Sequence, residues 1–313
     1  MPPPEPDYVE YGSLATVPGP LRCHGATQWG FLAEADRDRL DALCRRVFAE
    51  PSGGEVDLRP LGGHVLITLG RIKRIVSNVA PFDHMGSSPE GQAAVWIPVG
   101  RVRDGATAEE LLMFTPYMWV DNPISLPSGR EMYGFAKAFG WMELPAGDPA
   151  ALGLDVFGMN FDRDESPSRR PLLRLEPGDR VGPAELAWTG VLDLARHLRG
   201  SVEAGLRLAE GIADDVRNGG VRQAFLLQVR SPQDGRLAAL QQVTDVAYRV
   251  LRFRGRSLGH EYRLTVDALD SHPLGAELGL ADQTIRYAFR TESDFVVEPG
   301  RVLWDSGSVQ LRR

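Results

Sequence analysis

The sequence predicts a mainly β chain of the α+β kind, an antiparallel sheet or barrel with peripheral helices. Three observations lead there. Short runs rich in β-branched and aromatic residues recur along the chain, such as Val65-Leu66-Ile67-Thr68-Leu69 and Tyr262-Arg263-Leu264-Thr265-Val266. Turn-rich stretches such as Asp162 to Arg170 separate these runs. Helical periodicity is confined to two regions, one near the N-terminus and one at 184–217.

In order, residues 1 to about 30 are rich in proline and glycine and read as an extended arm packed on the body or on another subunit. From Ala35 to Glu50, Leu40, Leu43, Val47 and Phe48 recur at helical spacing, and Pro51-Ser52-Gly53-Gly54 stops the helix. Strands are expected at Val65–Leu69, at Ile72–Val76 and from Ala93 to Val99. Ala108 to Phe114 reads as a short helix or a turn, leading into the strand Tyr117-Met118-Trp119-Val120. Further strands follow at Leu154–Phe161, Pro171–Leu175, Ala224–Val229, Gln242–Val246, Tyr262–Val266 and through Val302–Asp305.

Between them, Trp188, Val191, Ala195, Leu198, Val202, Gly205, Ala209, Ile212 and Val216 step by three and four, the stripe of one long helix ending at Asn218-Gly219-Gly220. That helix either seams two subunits or lies on its own barrel. The domain reading is an arm with an amphipathic helix over 1–60, then a β-barrel domain over 61–313 with a helical insertion at about 184–217.

Composition narrows the function classes. The 313 residues at 43% hydrophobic content bury a large core. A net charge of −7 argues against a nucleic-acid or anionic-membrane partner. Two cysteines, Cys23 and Cys44, make neither a disulfide framework nor a four-thiolate metal site. No apolar run reaches the ~20 residues of a membrane helix, and the N-terminus lacks the pattern of a signal peptide, so a soluble, cytoplasmic protein is expected. The six histidines show no paired metal-ligand spacing, and no P-loop, dinucleotide fingerprint or nucleophile elbow is present. Neither metal nor cofactor is expected.

Lysine carries the strongest functional signal. Of 35 basic residues only Lys73 and Lys137 are lysines. Arginine serves surfaces and ion pairs equally well, but only the lysine amine readily gives up its proton and attacks a carbonyl carbon. Lys137 sits among Phe135, Ala136, Ala138, Phe139 and Trp141, which offer no carboxylate and a poorly hydrated setting. Desolvation favours the neutral, nucleophilic amine. The commoner role of a lysine is a stem crossing apolar surface with its head in water.

The surrounding Gly129-Arg130-Glu131, Gly134-Phe135-Ala136-Lys137 and Gly140 resemble the Gly-Arg-Glu-x-x-Gly-aromatic-Pro-Lys-Lys-x-Ala/Gly signature of acetoacetate decarboxylases, whose first paired lysine forms a Schiff base. The family is a standard example of a lysine activated by its environment. The resemblance extends to an Asp121-Asn122 segment preceded by aromatic residues, a stretch ending in Ile97-Pro98-Val99 and a late Asp270-Ser271-His272-Pro273-Leu274. It implies an acetoacetate decarboxylase-like barrel or cone, a homo-oligomer and a small oxo-acid substrate.

Within that resemblance, an ungapped count places Gln92 at the family's active-site glutamate, and a two-residue bulge places Glu90 there. The choice matters because a carboxylate moves protons and an amide does not. Arg22 is the nearest candidate for the arginine that holds a substrate carboxylate. Tyr117, Met132 and Phe135 are further candidates to contact substrate. Arg130 and Glu131 read as structural supports rather than catalytic groups, and Gly129 and Gly134 as permitting a tight backbone course.

Ala138 replaces the second lysine, which makes acetoacetate itself a doubtful substrate. The function expected is a Schiff-base lyase: decarboxylation, or aldol and dehydration chemistry on an α-keto acid. The alternative is a non-catalytic barrel binding a hydrophobic keto compound. A purely structural role is the third reading.

Overall fold

The structure, a computed structural model, describes residues 7–10, 12–103, 106–181 and 220–307. The long helix expected over 184–217 lies outside these residues. The described strands are β1 (Leu21–Glu34), β2 (Leu58–Pro60), β3 (His64–Ser77), β4 (Ser88–Arg103), β5 (Ala106–Val120), β6 (Lys137–Glu143), β7 (Leu152–Gly158), β8 (Ser168–Arg180), β9 (Gly220–Arg230), β10 (Ala238–Ser257), β11 (His260–Val266), β12 (Gln283–Ile285), β13 (Ala288–Val297) and β14 (Arg301–Asp305). Three short helices accompany them: α1 (Arg37–Cys44), α2 (Ser125–Tyr133) and α3 (Leu274–Leu278). No described helix is long and apolar enough to cross a membrane.

The sheet closes on itself. Strands run in the order β5-β9-β10-β13-β1-β3-β4, and β4 pairs again with β5. Closure leaves this ring without free edges. A second sheet, β6-β7-β8-β11-β12, branches from β5. The branch works because β5 divides its second edge: Met113 and Phe114 face β9, and Met118 to Val120 face β6, both in parallel.

Alternation along each strand sorts the side chains into two cores. Cys23, Ala26, Ile72, Ala94, Met118, Val120, Phe225, Val246, Phe295 and Val297 fill the ring beside α2. The intervening residues, including Phe31, Ile67, Leu69, Val95, Ile97 and Trp119, pack outward against Leu154, Leu173, Tyr262 and Leu264 of the second sheet. Phe31 meets Tyr262 edge-on at 4.9 Å.

The amphipathic helix expected from Ala35 to Glu50 forms as α1, extended by a π turn over Arg45–Ala49. Asp36 caps it, its Oδ1 accepting from the amides of Asp38 and Arg39, and Leu40, Leu43 and Phe48 are buried.

Three expectations need correction. Residues 21 to about 30, read as part of an arm, belong to β1 (Leu21–Glu34), which pairs with β13 on one side and β3 on the other. No boundary at residue 60 separates an arm from the barrel, because β1 is central to it. Its period was diluted by glycines, and Gly30 is one the fold requires: a Cβ there would lie 2.3 Å from the Phe289 ring. The stretch Ala108 to Phe114, read as helix or turn, runs in β5 without a break into Tyr117–Val120. The two runs around residue 70 are one strand, β3, joined across Gly70, where a Cβ would meet the Thr27 carbonyl at 2.4 Å.

Because Phe31 joins the ring to the second sheet and is fully buried, Phe31→Ala should cost about 3–5 kcal/mol in urea unfolding. Arg22→Ala, on the exposed face of the same strand, should stay within about 0.5 kcal/mol. Equal, small losses would contradict this division of β1.

Candidate active site

Asp121 and Asn122, directly after β5, tie two distant segments together. The Asn122 side-chain oxygen accepts from the amides of Ile124 and Ser125 at 2.9 and 3.0 Å, starting α2. Its Nδ2 donates to the Pro89 carbonyl at 2.7 Å and to Ser88 Oγ, while Asp121 Oδ1 accepts from the Gly91 amide at 2.7 Å. The start of α2 and the segment carrying Glu90 are thereby held in one place.

Helix α2 ends at Gly134, whose φ of +77° suits a glycine C-cap. A Cβ there would lie 2.6 Å from the Leu227 amide nitrogen. Three residues later Lys137 opens β6, with its carbonyl accepting from Arg130 Nη1 at 2.9 Å. Lys137 lies opposite Met118 in the parallel pairing and shares its inward face.

The Lys137 side chain enters the ring interior and is 6% exposed as a residue. Its Nζ donates to Glu90 Oε2 at 3.2 Å, to the Ser125 carbonyl at 3.2 Å and to Ser125 Oγ. Glu90 is 2% exposed. Gly129 makes room for the lysine stem: a Cβ there would be 2.9 Å from Lys137 Cδ and 3.0 Å from Cε.

Aromatic rings form one wall. The Phe135 ring centre lies 5.8 Å from Nζ and packs on Tyr133 at 4.9 Å, Phe225 at 4.6 Å and Tyr248 at 6.4 Å. Burial pushes the Tyr133 phenol up to about 12 and raises Tyr248 well above the ordinary tyrosine range. Burial also raises the Cys23 thiol; Glu90 adds to the rise and Lys137 opposes it. These phenols and this thiol stay protonated at neutral pH. Tyr133 Oη is buried without a hydrogen-bond partner.

The N-terminal segment crosses α2. Val17 donates its amide to Ser128 Oγ at 2.9 Å, and the Pro18 carbonyl accepts from Ser77 Oγ at 2.6 Å. Two cavities among the described residues are not lined by Lys137. One of ≈ 400 Å³ is lined by Glu34, His64, Gln283 and Arg286, and one of ≈ 240 Å³ by Val47, Phe114, Tyr117 and Leu226.

Of the residues singled out from sequence, Lys137, Glu90, Phe135 and Met132 come together, Met132 packing on the same interior cluster. The amine bonds Glu90 and not Gln92, which lies one inward-facing row away, opposite Gly70 and Val120. Lys137 has a carboxylate partner after all; its immediate neighbours could not reveal one 47 residues away.

Arg22 is exposed on the face of β1 opposite Cys23, away from the amine. Tyr117 also points away, stacked on Trp119 at 5.7 Å and bonded to Glu277. Arg130 supports the Lys137 backbone; Glu131 is exposed, 3.5 Å from the Tyr8 hydroxyl. Sequence reasoning missed Ser125, Cys23, Tyr133 and Tyr248. Ser125 had one legible signal, its place just after the Asp121-Asn122 pair.

If Gly129 exists to pass the lysine stem, Gly129→Ala should cost about 1–3 kcal/mol by overpacking and slow carbonyl labelling of Lys137. Gly147→Ala, with nothing within 4 Å of the added methyl, should change neither. Normal labelling of the first variant would contradict this role.

No family model matches the chain, and no curated protein matches it in sequence. Solved structures do match in shape. Acetoacetate decarboxylase from Legionella pneumophila subsp. pneumophila str. Philadelphia 1 superposes with a TM-score of 0.62 at 15% identity, covering 97% of this chain and 93% of that one. The enduracididine biosynthesis enzyme MppR complexed with pyruvate gives 0.53 at 15% identity, covering 92% of each chain. An acetoacetate decarboxylase-like enzyme from Sphingomonas wittichii RW1 gives 0.53 at 16% identity, covering 94% and 96%. The closed ring, the branching second sheet and these superpositions establish that the chain has the acetoacetate decarboxylase-like fold.

Proposed function

We propose that this protein is a Schiff-base-forming lyase that works through Lys137 on a small carbonyl substrate. The observation that carries this reading is the buried amine at 3.2 Å from a buried carboxylate inside the ring. Supporting it, the similar folds belong to acetoacetate decarboxylases and to an enzyme solved with pyruvate.

Within the buried pair, Lys137 Nζ donates to Glu90 Oε2 at 3.2 Å, so a proton can pass between the two groups. Glu90 takes that proton, and the free amine adds to the substrate carbonyl. The resulting carbinolamine loses water, with Glu90 returning the proton to the departing hydroxyl, and leaves an iminium. The iminium accepts the electron pair of a bond broken at the neighbouring carbon. Whether carbon dioxide, a proton or an aldehyde departs depends on the substrate.

A small oxo-acid is the class implied by the family resemblance. Acetoacetate is disfavoured, because Ala138 leaves no second amine and Arg22 faces solvent. The same proposal carries a homo-oligomer in the cytoplasm, acting without a cofactor and without a nucleic-acid or membrane partner.

One observation favours a second reading. A cavity of ≈ 240 Å³ that Lys137 does not line has apolar side chains from Leu43, Val47, Phe114, Phe225 and Leu226 beside the polar Arg46, Gln228 and Glu277, a lining that could take a hydrophobic keto compound. In that case ligand-induced thermal stabilisation would survive Lys137→Met with no covalent adduct.

Borohydride trapping with a panel of carbonyl compounds, followed by peptide mass spectrometry, tests the main reading. A reduced adduct on Lys137 that disappears in folded Lys137→Ala is expected. Adduct formation persisting elsewhere in that variant, or absent from the native protein, would overturn it.

A further inference from the structure

We infer that the substrate held at Lys137 is an uncharged ketone, and that its carbon–carbon chemistry is aldol addition and cleavage rather than decarboxylation. This rests on the Lys137 imine proposed above and names its substrate class.

The inference follows from counting buried charge. Among the described residues, the buried charged side chains include Lys137, Glu90, Asp245 and Asp148, the last neutralised by Arg256 and Arg290. Asp245 is neutralised by Arg222 and Arg301. That leaves Lys137 and Glu90, whose charges cancel. Every described arginine lies outside the buried set; Arg130, which bonds the Lys137 carbonyl, and Arg22 are exposed.

Forming the iminium uses the lysine's charge without adding another cation. With an uncharged ketone the site then holds one iminium and one carboxylate and stays neutral. With an oxo-acid it holds one iminium and two carboxylates. Among the described residues no buried cation is left to pair that extra carboxylate, and an unpaired buried anion is what protein interiors exclude. The walls agree: Phe135, Phe225, Tyr248 and Phe295 offer apolar surface, and the protonated Tyr133 and Cys23 offer neutral polar groups.

The step balances with the residues present. In the iminium of a β-hydroxy ketone, Glu90 removes the hydroxyl proton and the bond between the carbinol carbon and the adjacent methylene breaks. Its electron pair moves into the iminium, giving an enamine, and an aldehyde leaves. The enamine carbon takes the proton back from Glu90, and water hydrolyses the iminium to release a ketone and Lys137. Decarboxylation would instead require a substrate carboxylate in this site.

Two matched pairs test this. Acetylacetone and acetoacetate differ by a methyl in place of a carboxylate oxygen, and each is trapped with borohydride and located by peptide mass spectrometry. The aldol adducts of benzaldehyde with acetone and with pyruvate differ in the same sense, and both release benzaldehyde on cleavage. The uncharged member should react at least tenfold faster in each pair. In Glu90→Gln the acid would restore neutrality to the iminium, so the trapping preference should shrink at least tenfold; a preference that persists in this variant, shown to be folded, would overturn the charge-balance account.

Equal or faster reaction of the acids in the native protein would overturn the inference while leaving the Lys137 imine intact. No adduct on Lys137 with any of the four compounds would overturn the imine itself, and this inference with it.

Discussion

The ion pair between Lys137 and Glu90 is the constraint around which this molecule is built. Two charges taken out of water lose hydration worth several kcal/mol each, and their mutual attraction compensates only when geometry is held and the remaining hydrogen bonds are made. The surrounding structure meets both conditions. Ser125 supplies a carbonyl and a hydroxyl to the amine, Asn122 joins the start of α2 to Ser88 and Pro89, and Asp121 fixes Gly91. Arg130 holds the lysine's own carbonyl. The signature around residues 121–137 therefore reads as a scaffold that holds one amine in place.

The topology explains why such a pair can sit inside a sheet protein. A closed ring offers an interior lined by every second residue of each strand, shielded from solvent by its own walls. Lys137 enters from β6, Glu90 from β4 and the aromatic wall from the turn after α2 together with β9 and β10. β4, β6 and β9 are joined in the hydrogen-bonded order through β5, which touches all three, and β10 follows β9. β5 is the strand that assembles the site, although it contributes mainly apolar packing through Met118 and Val120.

Much of this was legible in the sequence, for identifiable reasons. Lys137 stood out because the chain writes nearly all its positive charge as arginine. β9, β10 and β11 were legible as apolar runs, whereas β6, β12 and β13 were not expected, although β13 pairs with both β1 and β10. The choice between Glu90 and Gln92 was not legible, because both have the same parity on β4 and alternation cannot separate them. Depth decides: the long lysine stem carries its amine beyond the row of Gln92. The role of β1 was hidden because its pattern is interrupted by Gly25 and Gly30, whose small size serves contacts with Lys73 and Phe289 from elsewhere in the chain. Cys23 and Tyr248 were unremarkable in sequence, since β1 and β10 come to the amine's interior only through the closed ring.

The most direct measurement of the central claim is a double-mutant cycle on folding stability with Lys137→Met, Glu90→Leu and the double variant. If the two side chains are one buried pair, each single change strands a charge and costs about 3–5 kcal/mol, while the double variant recovers most of that loss, giving a coupling above about 2 kcal/mol. Additive effects, with a coupling near zero, would show that Lys137 and Glu90 do not depend on each other and would contradict the account.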